Sequence, residues 1–213
     1  VKLQVGHIER FNSAIRALEP HLQAPLFIEV HRLAPFTPRG ADVAVVLDLM
    51  IHDIDIILSL VQSEVTHIRA SGVPVISPTV DIANARVEFA NGCVANVTAS
   101  RVSQERVRKI RFFQGNQYIS LDYQKQEIHI VEKAKNWMEI LAASEKPNFD
   151  KLIATQTIRP PKEEPLKLEL SAFLDAIIHD KRPIVNGQDG YEALRVAGEI
   201  LHRIEDRMKL LHK

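Results

Sequence analysis

Residues 1–5 alternate apolar and polar, as in a short strand, and Gly6 and His7 then turn the chain. Residues 9–22 are mixed, and Pro20 confines any helix to the first part of that segment. Residues 26–33 carry Phe27, Ile28 and Val30 and predict a strand, with Pro35, Pro38 and Gly40 marking a loop after it. Residues 42–61 predict the clearest helix of the first half. Asp42 sits in its first turn, where a carboxylate opposes the positive end of the helix dipole.

From Val65 the period changes to two. Residues 65–75, 82–89, 93–102, 107–113, 118–123 and 127–131 all predict strands, with Asn91-Gly92 as a hairpin signal and Gly115-Asn116 as a second turn. Strands joined by turns this short pair antiparallel, because parallel pairing needs a long crossover. The pattern therefore predicts an α+β fold: an open, mainly antiparallel sheet of five or six strands with helices packed on one face. Residues 135–162 read as irregular, with Pro147, Pro160 and Pro161. Residues 166–178 predict an amphipathic helix with Leu166, Leu170, Phe173, Leu174 and Ile177 on one face. Asp189 and Glu192 suit a capping box for a final helix, whose apolar stripe is Leu194, Ala197, Leu201, Ile204, Met208 and Leu211.

On a wheel of about 100° per residue, Ala41, Ala44, Asp48, His52, Asp55, Ser59 and Gln62 share one narrow stripe of the 42–61 helix. Apolar residues cover the rest, with Asp53 alone on the opposite side. A helix apolar nearly all round is a buried one, and its polar stripe then needs partners. Asp48 and His52 are four residues apart, so their side chains can meet. A carboxylate beside an imidazole suits a general acid/base near neutral pH. The same pair equally suits a satisfied internal network that fixes helix packing. A metal site has little support: His52, Asp53 and Asp55 do not share a face, and no His-Glu-x-x-His occurs.

The 213 residues are 46% hydrophobic and 25% charged, enough for one generous core. Lys plus Arg and Asp plus Glu each number 27, so there is no general pull toward nucleic acid or an anionic membrane. Four ionisable side chains interrupt the longest apolar stretch, which argues against a membrane span. With Cys93 as the one cysteine, no intrachain disulfide forms, and a cytoplasmic setting is expected.

Val5-Gly6-His7-Ile8-Glu9-Arg10-Phe11-Asn12, the strand ending in His31-Arg32, and Leu47-Asp48-Leu49-Met50-Ile51-His52-Asp53-Ile54-Asp55 together resemble the Gfo/Idh/MocA oxidoreductases. Asn186-Gly187-Gln188-Asp189-Gly190 before the last helix adds to the resemblance, which covers essentially the whole chain. The resemblance implies the family's C-terminal domain, which has the fold of the glyceraldehyde-3-phosphate dehydrogenase C-terminal domain. Residues 1–213 would bind substrate and oligomerise, with residues 1–8 the tail of a Rossmann domain that precedes them. It implies NAD or NADP, bound mainly by that other domain, and hydride transfer from a hydroxyl carbon of a sugar, polyol or nucleotide-sugar. His52 would be the acid/base or hydroxyl-binding group, with Asp48 orienting substrate or His52. Arg10, Asn12, Arg32 and Asp55 would lie toward the substrate, and His7 toward the cofactor. The alternative is a ligand-binding or oligomerisation module of the same fold with no chemistry.

The eight glycines are scattered and form no Gly-x-Gly-x-x-Gly, so the pyrophosphate cradle is expected outside this chain, which alone should be inactive. Glu145-Lys146-Pro147 spells the family's catalytic triplet but lies after the sheet, where it reads as coincidence. Arg101, Arg106, Arg108, Lys109 and Arg111 form a basic run suited to phosphate or, more simply, to salt bridges along a hairpin. Cys93 reads as a small core residue. The sheet face away from the helices is expected to be partly apolar and to form a homodimer or homotetramer.

Overall fold

The computed structural model describes residues 1–143 and 149–211. A 3₁₀ turn at Ile8–Phe11 leads into α1 (Ser13–Leu18), a second such turn at Glu19–His21 and strand β1 (Phe27–Leu33). A wide helical turn, Val46–Met50, runs directly into α2 (Ile51–Val61). Strands β2 (Val65–Val73), β3 (Ile82–Phe89), β4 (Val94–Ser100), β5 (Val107–Gln114), β6 (Gln117–Asp122) and β7 (Glu127–Lys133) follow. The chain continues through α3 (Trp137–Ala142), α4 (Phe149–Leu152), β8 (Ile153–Ile158), α5 (Pro165–Ile178) and α6 (Gly187–Leu211).

The strands form one open sheet of eight, in the order β2-β3-β4-β1-β5-β6-β7-β8. That exceeds the five or six expected. β1 enters the middle of the sheet, parallel to β4 and antiparallel to β5, while the other neighbours pair antiparallel. β8 is the strand the pattern hid: Ile-Ala-Thr-Gln-Thr-Ile lacks a clear apolar face because it is a largely exposed edge.

Alternation puts Ile28, Val30, Ala85, Val97, Ile110, Phe112, Ile119 and Ile128 on one face, under α1, α2 and α6. Cys93 joins this core, and burial pushes its thiol up to about 11. The opposite face is mainly polar, and only the smaller part of it is apolar. Arg86, Asn96, Glu29, Arg111, Ser120 and His129 are register partners in a row across six strands. Its apolar part is a stack of Phe27, Phe113 and Tyr118, with successive ring centroids 5.6 and 5.1 Å apart.

Two helices differ from their expected faces. Residues 166–178 do form α5, but Leu166, Leu170, Leu174 and Ile177 face outward, and the helix packs its other side on the Ile8–Phe11 turn. In α6 the buried stripe is Ala193, Val196, Ala197, Ile200 and Ile204, while Leu194 is exposed. The cap of α6 also starts earlier. Asn186 Oδ1 accepts from the Gln188 N–H and Asp189 Oδ2 from the Asn186 N–H, at 2.9 and 2.8 Å, so the box is Asn186–Asp189 rather than Asp189–Glu192.

Gly187 and Gly190 let the N-terminal segment lie against this cap. A Cβ on Gly190 would fall 2.7 Å from Val5 Cγ2, and one on Gly187 2.9 Å from Leu3 Cδ2. The Val5 N–H donates to the Val185 carbonyl at 2.9 Å, which fixes the segment that carries His7.

Candidate active site

The helix expected from residue 42 begins only at Val45, and its first turn is wider than an α-helix: the Ile51 N–H donates to the Val46 carbonyl, five residues back. Such turns concentrate at functional sites. The extra residue shifts the phase of Asp48. Among the described residues no hydrogen bond joins Asp48 to His52; Asp48 instead faces Arg101 at 4.0 Å and lies beside Gly40.

Arg101 is buried and ties this entrance down. It donates to the Gly40 carbonyl at 2.5 Å and to the Val43 carbonyl, and it approaches Asp81 at 3.8 Å. The fully buried Asp81 accepts the backbone N–H groups of Val75, Ile76 and Ser77 and the Ser77 hydroxyl, at 2.6 to 2.8 Å. Burial would raise its pKa, but these four donors outweigh it and hold the carboxyl far below the usual carboxylate range.

His52 is half-buried and meets His7 edge-on, with ring centroids 5.9 Å apart and planes at 83°. Both Nδ1 atoms are buried without a hydrogen-bond partner. Orphaned buried polar atoms are costly and recur where a ligand completes the bonding. Burial lowers the pKa of His52, Arg32 and His7 lower it further, and Asp53 and Glu9 offset part of this. The imidazole is therefore a neutral proton acceptor at pH 7.

Beneath this pair lies a charge network the sequence did not reveal. Asp53, the exception on the helical wheel, is fully buried and holds Arg32 of β1 in a two-pronged pair at 2.5 and 2.8 Å. Arg32 also reaches Glu9 at 3.2 Å, and Arg108 lies 3.7 Å from the same carboxylate. Burial alone would lower the Arg32 pKa, but Asp53 and Glu9 hold it above its ordinary value. Arg32 lies over the ring of Tyr123, 5.5 Å from its centroid. The Tyr123 hydroxyl is buried with no partner, and burial followed by Asp53 keeps it un-ionised.

The remaining predicted residues are placed as follows. Arg10 grips Asp55 at 2.7 and 3.0 Å beside a cleft of about 350 Å³. Asn12 caps α1 by accepting the Ala14 N–H and donates to the Tyr123 carbonyl. Arg32, Asn12 and Asp55 thus have their polar groups engaged within the protein, whereas His7 and His52 keep free ring nitrogens. In the basic run, Arg101, Arg108, Lys109 and Arg111 each have a carboxylate within 4.0 Å, as a salt-bridged hairpin would. Glu145-Lys146-Pro147 lies outside the described residues.

The eight-stranded sheet is backed on one face by helices, and the histidine-bearing α2 meets the N-terminal segment through the His7–His52 contact. Residues 19–117 match the GFO/IDH/MocA C-terminal domain. The chain is 34% identical over 204 residues to the UDP-N-acetylglucosamine 3-dehydrogenase of Acidithiobacillus ferrooxidans, covering 95% of this chain and 62% of that protein. The solved structure of that dehydrogenase superposes with a TM-score of 0.86 at 33% identity, over 97% of this chain and 63% of the other. A levoglucosan dehydrogenase solved with NADH and L-sorbose shares the fold, with a TM-score of 0.77 at 15% identity over 97% of this chain and 64% of that one. Residues 19–117 carry the GFO/IDH/MocA C-terminal domain, and the chain spans less than two thirds of the length of these relatives.

Proposed function

We propose that this chain is the substrate-binding half of an NAD(P)-dependent dehydrogenase that oxidises a hydroxyl carbon of a nucleotide-linked sugar. The observation that carries the reading is the 34% identity, over 95% of the chain, to a UDP-N-acetylglucosamine 3-dehydrogenase. The residues present do not fit the dinucleotide: among the described residues no glycine-rich turn follows a strand and opens a helix. The cofactor would therefore be held by another part of a longer polypeptide.

What this chain contributes is proton handling and placement. His52, kept neutral, accepts the proton of the reacting hydroxyl. Asp48, half-exposed at the mouth of α2, accepts hydrogen bonds from neighbouring sugar hydroxyls. Arg32, Asp53 and Glu9 hold α2, β1 and the Ile8–Phe11 turn in register beneath His52. His7 packs against His52 and faces the junction with the cofactor domain. The polar sheet face, with Phe27, Phe113 and Tyr118 at its apolar part, serves a homodimer or homotetramer.

The test is turnover by the full-length parent, followed as NAD(P)H formation with UDP-N-acetylglucosamine, other nucleotide-sugars and free sugars. Activity confined to nucleotide-sugars supports the reading, and activity on free sugars or polyols alone overturns the nucleotide requirement. No turnover with any of them leaves the non-catalytic module. The 213-residue chain by itself is expected to form no NAD(P)H.

A further inference from the structure

Helix α5 presents its most apolar side to solvent. Leu166, Leu170, Leu174 and Ile177 follow one another at helical spacing, and with Ile178 they are 48%, 56%, 57%, 49% and 73% exposed. The less exposed side carries Leu168, Ala172 and Phe173, all half-buried, and the buried Ala176. A helix that leaves a continuous stripe of large apolar residues exposed is half of an interface.

Its attachments point to the occupant. Among the described residues, α5 packs chiefly on the Ile8–Phe11 turn. The Gln4 side chain donates to the Glu169 carbonyl at 3.1 Å, and Gly6 lies under the Glu169 carboxylate. α5 is thus fastened to the N-terminal segment, beside which Leu3 is also exposed. The dehydrogenase that matches 97% of this chain has more than a third of its own length outside the match, and the matching family is a C-terminal domain.

We propose that the outward stripe of α5 is the seat of the domain that precedes this one in the parent polypeptide. The proposal rests on the two-domain reading above but not on its chemistry. A domain joined ahead of Val1 starts next to α5, so covering the stripe needs no long linker. The stripe then sets the angle at which a cofactor held by that domain meets His52.

The experiment compares the parent, its Leu170→Asp/Leu174→Asp variant and a Met138→Asp control on α3. In the 213-residue chain the double substitution should leave the melting temperature unchanged, because both leucines are exposed there. In the parent it should enlarge the radius of gyration, split thermal unfolding into two transitions and lower kcat/KM about 10²-fold, with Met138→Asp silent. Amide exchange across residues 166–178 should be slower in the parent than in the 213-residue chain. Unchanged scattering and unfolding in the variant parent overturn the proposal, whatever its activity. So does self-association of the 213-residue chain that the double substitution abolishes while the parent's domain coupling is untouched. A parent without turnover whose domains still separate in the variant leaves this proposal standing and removes the catalytic one.

Discussion

His52 on α2 and His7 on the N-terminal segment meet edge-to-face, 45 residues apart in sequence, with both Nδ1 atoms buried and unpaired. Both are predicted site residues, and each keeps a buried ring nitrogen that the protein itself leaves without a partner. Replacing His52 with Ala in the parent should reduce kcat by about 10²–10⁴-fold. Thermal unfolding measured in parallel separates the two readings of the helix. A large loss of melting temperature with unchanged kcat would make the pair a packing device.

The depressed pKa of His52 has two consequences with defined signs. Under the proposed function neutral His52 is the form that accepts the hydroxyl proton, so kcat/KM of the parent should hold at neutral pH. It should fall about tenfold per pH unit on an acid limb lying below 6.5, the group's ordinary value. In the unfolded chain His52 takes up its proton near 6.5, before the folded state does. Stability therefore declines as pH falls from above 6.5 toward the folded pKa. Urea titrations across this range should show the decline in wild type and its attenuation in His52→Ala.

Asp53 and Arg32 form a buried two-pronged pair, and cutting one side strands the other. Asp53→Asn should cost about 3–5 kcal/mol in urea unfolding. A combined Asp53→Leu/Arg32→Met chain should lose less than the sum of the single changes, because neither charge is then stranded. Additive losses would mean that the pair is not coupled.

Gly190 is defined by contact rather than by chain conformation. Gly190→Ala sets a methyl 2.7 Å from Val5 Cγ2 and should lower stability by about 1–3 kcal/mol. Val5→Ala in the same chain should recover most of it. If it does not, the N-terminal segment is not held against the α6 cap as described.

Asp81 predicts acid sensitivity at the mouth of the site. Its carboxyl is held far below the ordinary 3.8, so its contribution is present above that pH and lost as pH falls below it. Asp81→Asn should remove about 3 kcal/mol at neutral pH and flatten the acid limb of unfolding below pH 4.

Local pattern alone identified β1, β3, the hairpins that follow, and the existence of α2, α5 and α6, because each depends on a period of two or 3.6 and on turn residues nearby in sequence. β3 is bounded at Ile82 and Phe89, as the alternation implied. β8 escaped because an exposed edge strand needs no apolar face. The wide turn at Val46–Met50 escaped because nothing in Val-Leu-Asp-Leu-Met marks a change of helical pitch.

His52 and its neighbours could be singled out from sequence because four-residue spacing is a local property of a helix. Asp53 stood out too, as a charge among apolar residues, but its partner could not be named. Arg32 is 21 residues away and Glu9 farther; the insertion of β1 between β4 and β5 brings Arg32 under the helix, and the packing of the Ile8–Phe11 turn on α2 brings Glu9. The direction in which α5 faces was likewise beyond periodicity. A stripe of leucines states that a surface will be covered. Which neighbour covers it depends on where the helix is fastened, and here that is the Ile8–Phe11 turn, a contact set by tertiary packing across more than 150 residues of chain.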